Sequence, residues 1–228
     1  MNKSKFFMAV ITMGISAIIL FVIVYYTFNN NKINQGDFRI SDSILSSIVE
    51  FEDKSEGANE WKYDISQNNK ISMLIQTIGD TNIKEIYLEN VKVKSKNNVN
   101  IYIEQNKYDV SYKYEDVKNE NINIYVDKMD TGDYLVDFDI KNEDILSGYS
   151  RPEGVNELRH DGTVLNTASI AISQIRFQIK YNLVILQDNE KTNKCKIELE
   201  MPDEKIAVDG FYVQRLDSAN YNFKTSYW

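Results

Sequence analysis

The chain is poor in cysteine, histidine, proline and glycine. Its single cysteine, Cys195, cannot form a disulfide within the chain. One cysteine and one histidine, His160, are too few for a zinc site of the Cys/His type. Nine glycines and two prolines in 228 residues exclude collagen-like and low-complexity classes. No G-x-S-x-G elbow, Gly-rich phosphate loop or H-E-x-x-H motif occurs. Basic residues number 26 against 34 acidic ones, and they form no run along the sequence. Phosphate neutralisation needs clustered Lys and Arg, so nucleic acid is excluded as an expected partner. No residue pattern asks for a cofactor.

What is abundant is apolar and aromatic: 43% hydrophobic residues, 12% aromatic, which is too much for a disordered chain. One apolar run stands apart. Residues Phe6 to Phe28 carry no charge and, at about 1.5 Å per residue, span about 35 Å as a helix, enough for a bilayer core. Lys3 and Lys5 precede it, so the positive-inside rule keeps the N-terminus cytoplasmic and sends the remainder outside. The run is too long for a cleaved signal peptide, and no small-x-small site follows it. The expectation is an uncleaved signal anchor over 1–28, with the lipid bilayer as partner through residues 6–28. Without 1–28, which hold two lysines and no acid, the net charge moves from −8 to −10. That suits an acidic, soluble domain outside the membrane.

Residues 29–40 begin with a polar, turn-rich stretch that reads as a stalk. In Ser41–Glu50, residues Ile44, Leu45, Ile48 and Val49 fall at helical spacing, which predicts a short helix. Beyond Trp61 the period is two. Lys70–Thr77, Lys84–Lys94, Tyr108–Glu115, Asn121–Val126 and Asp133–Asp139 all read as strands. Gly148, Pro152, Gly154 and Gly162 break the rhythm across 142–162. Ile175–Ile185 then alternates cleanly, and the turn Asp188–Lys191 joins it to Lys194–Met201 as a hairpin. Phe211–Arg215 and Tyr221–Phe223 close the chain as short strands. The expected fold class is all-β: a transmembrane helix followed by an antiparallel, sandwich-like ectodomain. Two β units, 41–142 and 163–228 joined by a connector at 143–162, or one interrupted sandwich, both fit this pattern.

Three constellations could carry chemistry. His160, Cys195 and Arg215, on a signal-anchored β chain, resemble a sortase in outline and order, which implies a cysteine transpeptidase. Lys191-Thr192-Asn193-Lys194-Cys195 departs from the T-L-x-T-C strand end of that family. Period two also puts Cys195 on one face with Ile197, Leu199 and Met201, where a thiol packs as a small hydrophobe. Asp127, Asp130 and Asp133 surround Gly132, but their spacing is not that of a calcium loop, and a solvated turn accounts for them. Aromatic display is the third: Trp61 and Tyr63 in one segment, Tyr227 and Trp228 at the C-terminus, are the binding candidates. Ile86–Val93 resembles a closing strand of jelly-roll carbohydrate-binding modules, which implies a wall glycan as ligand. No catalytic residue and no metal ligand emerges. The expectation is a non-catalytic assembly, scaffold or binding component of the bacterial cell envelope, with an envelope protein or a wall glycan as partner.

Overall fold

The computed structural model describes residues 37–56, 62–79, 81–96, 100–150 and 163–226. The apolar run 6–28, Trp61, His160, Tyr227 and Trp228 lie outside them. Among the described residues twelve strands follow in chain order: β1 (Phe38–Asp53), β2 (Lys62–Thr77), β3 (Ile83–Ser95), β4 (Ile101–Gln105), β5 (Val110–Lys113), β6 (Ile122–Asn123), β7 (Val126–Lys128), β8 (Tyr134–Ser150), β9 (Phe177–Gln187), β10 (Thr192–Met201), β11 (Phe211–Arg215) and β12 (Lys224–Ser226). The helical pieces are single turns, such as Ile206–Asp209, where Gly210 takes φ 78° and closes the turn onto the Ile206 carbonyl. The protein is all-β among the described residues.

All strand pairings are antiparallel and build two sheets. One runs β11-β1-β2-β8-β4-β5, with β7 also on β8; the other runs β12-β10-β9-β3-β6. The anticipated hairpin is β9–β10, in register from Thr192 opposite Leu186 to Met201 opposite Phe177. Alternation dictates its packing. Phe177, Ile179, Tyr181, Leu183 and Ile185 point inward with Cys195, Ile197, Leu199 and Met201, while Lys180, Lys194, Lys196 and Glu198 face out. Inward side chains of both sheets form one buried cluster. Phe138 of β8 meets Tyr181 of β9 edge-on, ring centroids 5.8 Å apart, a contact worth about 1 kcal/mol beyond the area it buries. Strands from either side of 143–162 share each sheet: β11 pairs with β1, and β3 with β9.

Several local expectations differ from the structure. Ser41–Glu50 is strand, not helix, because its inward positions are Ser43, Leu45, Ser47 and Val49. Two of these are small and polar, and Ile44 and Ile48 face outward, so the hydrophobic pattern imitates a helical one. Phe38–Ile40 belongs to β1 and not to the stalk, and β8 continues through 143–150 into the expected connector. Tyr108–Glu115 is broken by a left-handed Asp109, φ 53°, and leaves only Val110–Lys113 as strand.

Of the buried serines, Ser47 fits a polar strip between the strands. Gln67 Nε2 donates to Ser47 Oγ and to Asn69 Oδ1, and Asn69 Nδ2 donates to the Ile140 carbonyl, each at 3.0 Å. These bonds tie β1, β2 and β8 in one register, since a slip by one residue would strand the amides in the core. Where the described chain begins, Asp37 holds the β9–β10 turn. Its carboxylate pairs with Lys191 and accepts from Gln187 Nε2, and its backbone N–H reaches Asn193 Oδ1.

Candidate functional site

The open edge of the larger sheet carries an exposed apolar strip. β11 is the terminal strand there, and among the described residues no strand covers its far side. In β1 against β11, Ile48 lies opposite Phe211, Ser46 opposite Val213 and Ile44 opposite Arg215. Side chains at these positions share the outward face. Ile44 is 44% exposed, Ile48 37%, Phe211 55% and Val213 59%. Val208, on the turn that leads into β11, is 79% exposed. Tyr212, one residue out of phase, is buried, which fixes the strand's orientation and leaves Phe211 and Val213 no way inward.

Polar groups rim this apolar strip. Arg215 donates from Nε and from its terminal nitrogen to the two carboxylate oxygens of Asp42, at 2.8 and 3.0 Å. The Leu216 N–H extends the pairing to the Ser43 carbonyl. A bidentate pair at the end of a short strand holds the edge against β1. The result is an apolar face beside free main-chain groups, the chemistry used when a protein partner adds a strand to a sheet edge.

A second feature is a polar cleft of about 140 Å³ where β4, β7 and β8 meet. Its carboxylates are all engaged. Asp127 pairs with Lys107 and accepts from the Tyr108 hydroxyl; these hold it below the usual carboxylate range. Asp137 accepts from Ser72 Oγ at 2.6 Å and pairs with Lys70. Asp139 accepts from Asn106 Nδ2. Burial pushes the Asp139 carboxyl up against the pull of Lys70, and Asp137 and Glu104 add to the push. Gln105 donates to the carbonyls of Tyr125 and Asp137 and accepts from the Tyr125 N–H, stitching β4, β7 and β8 together. This network explains the perturbed Asp139 by architecture.

The sequence candidates are dispersed. Tyr63 is 5% exposed and meets Phe51 edge-on at 5.6 Å, so its ring faces the core. Trp61, Tyr227 and Trp228 lie outside the described residues. Cys195 is fully buried, and burial pushes its thiol up to about 12, a protonated and shielded group. Asp133 accepts from Thr131 Oγ1 and Gln76 Nε2 in a tight turn closed by the Gly132 N–H on Met129. Among the described residues no three His, Cys, Asp or Glu side chains are placed to hold a metal ion. No described helix is long and apolar enough to cross a membrane. Sequence reasoning missed Ile44, Ile48, Phe211 and Val213. For Phe211 and Val213 the segment read as strand with apolar residues on both faces, but not which face met solvent; for Ile44 and Ile48 the pattern read as helical.

Set against family models, curated proteins and solved structures, the chain matches none of them.

Proposed function

We propose that this chain is a single-pass membrane protein, its β-sandwich held outside a bacterial membrane by residues 6–28, and that it acts without catalysis as an assembly component of the cell envelope. The observation that carries the reading is the apolar edge of β1 and β11, where Ile44, Ile48, Phe211 and Val213 sit together in solvent. Soluble chains seldom leave such a strip beside an open strand edge without a partner to cover it. The partner is an envelope protein that lays a strand or an apolar ridge against β11. The burial of Cys195 supports a structural role for the one residue that could have been a thiol nucleophile.

The test is chemical crosslinking of the full chain in its native membrane, followed by purification. A discrete set of envelope proteins should co-purify with the natural sequence and be lost from the double variant Phe211→Glu, Val213→Glu. Equal recovery with both sequences would remove the edge from the account. Recovery of glycan without protein would turn it toward wall binding.

A further inference from the structure

The outer face of the smaller sheet is the exception to the chain's acidity. Lys92, Lys94, Lys180, Lys194, Lys196 and Lys224 lie on it, against Glu85, Glu89, Glu198 and Glu200. At one end a depression of about 500 Å³ is lined by Lys194, Lys196, Lys224, Asn182, Asn222 and Thr225, with no acidic residue in the lining. Glu89 engages Lys194 at 2.8 Å and Glu198 engages Lys196 at 2.6 Å. Lys224 makes no ion pair among the described residues, and it stands opposite Lys194 in register. The Thr225 hydroxyl and the Asn182 amide are spent on Asn193 and Glu89, so what the groove offers phosphate oxygens is its ammonium groups, Lys224 first among them.

Its place in the fold points to the source of that phosphate. Asn193, beside Lys194, accepts from the Asp37 N–H at 3.4 Å and from Thr225 Oγ1 at 2.7 Å. Asn193 turns to the inner face of β10 and Lys194 to the outer, so the lysine groove lies one residue along the strand that helps hold Asp37, on its opposite face. In the reading proposed above, residues 29–36 alone separate Asp37 from the bilayer span, and eight residues reach at most about 28 Å. β1 is extended, so Ile44 to Ile48 lie about 23 to 36 Å further along it.

We propose that the Lys194–Lys196–Lys224 groove rests on the anionic phospholipid headgroups of the membrane that holds the anchor. This rests on the membrane-anchor reading. The bound groove would orient the domain, with the β1–β11 edge standing clear of the surface for its protein partner. A soluble polyanion has the same phosphate chemistry, but it gives no reason for the groove to lie beside Asp37.

The test uses the full chain in vesicles of phosphatidylcholine alone, and in vesicles with about one third phosphatidylglycerol, with lysine acylation read residue by residue. At about one surface-bound charge per lysine, acylation of Lys196 and Lys224 should slow about fivefold in the anionic vesicles. High salt should restore it, while Lys107 and Lys118 react alike in both. Equal reactivity of Lys224 in the two lipids, with the chain still resisting alkaline carbonate extraction, overturns the groove proposal and leaves the anchor standing. Release of the chain by carbonate from both vesicles overturns the anchor and the groove proposal with it. Protection by added polyphosphate on neutral vesicles, without protection in anionic ones, overturns the bilayer in favour of a soluble polyanion.

Discussion

Cys195 gives a direct handle on the core, because it is the only thiol in the chain. It lies on the inward face of β10 opposite Leu183 and is fully buried. Burial lifts its thiol from an ordinary 9.0 to about 12. At about pH 8 the thiolate share then falls from about one in ten to about one in ten thousand, a thousandfold loss of reactive form before any steric exclusion. The neutral thiol is the form the fold favours. Its contribution is complete below the ordinary value of 9.0, and it is lost as pH rises from there through about 12. Three pKa units correspond to about 4 kcal/mol once that range is crossed. A chromogenic disulfide reagent added at about pH 8 should therefore find Cys195 only through unfolding, with a rate that climbs along the urea transition. Cys195→Ser should lower stability by about 1 to 3 kcal/mol, since it buries a hydroxyl in an apolar site. Labelling of the native chain at free-thiol speed, indifferent to urea, would refute the packing argument and return Cys195 to the nucleophile candidates.

Other substitutions test neighbouring parts of the account. Among the described residues the Tyr181 hydroxyl is buried without a hydrogen-bond partner; Tyr181→Phe should raise the urea midpoint by the equivalent of about 1 kcal/mol, and a clear loss would contradict this. Burial works to raise Asp37, but hydrogen bonds from Lys191 and Gln187 outweigh it and hold the carboxyl below its ordinary 3.8. That stability is present above 3.8 and disappears as pH falls through the lowered native value. Asp37→Asn should cost about 1 kcal/mol at neutral pH and flatten the acid limb of the stability profile, read by urea titration at each pH. Val213→Glu, at an exposed position, should leave the urea midpoint within about 0.5 kcal/mol of the natural sequence, so that any loss of partner reflects the surface.

The β9–β10 hairpin was legible from sequence because one face is wet and the other dry, which makes period two unambiguous. Cys195 on the dry face was legible for the same reason. β1 was not. Its inward face carries the small polar Ser43 and Ser47, Ser47 in a polar strip with Gln67 and Asn69, and its outward face carries Ile44 and Ile48. A period count assumes that apolar means inward, so it reads such a strand as a helix. The same reversal marks the candidate site. Phe211 and Val213 sat in a segment correctly read as strand, yet which of its faces met solvent depended on Tyr212 and on pairing with β1, more than 160 residues earlier in the chain. Pairing at that distance leaves no local trace. Tyr63 failed as a display residue because β2 alternates it into the core against Phe51.

The central claim is that the β1–β11 edge is a protein-docking surface of a membrane-anchored domain. The most direct measurement places a photoreactive side chain at position 213 of the full chain in intact membranes, with position 118 as the control. The account predicts a discrete adduct with an envelope protein from 213, absent from 118 and abolished by Phe211→Glu. Adducts of equal yield from both positions, or none from 213 above background, would contradict it.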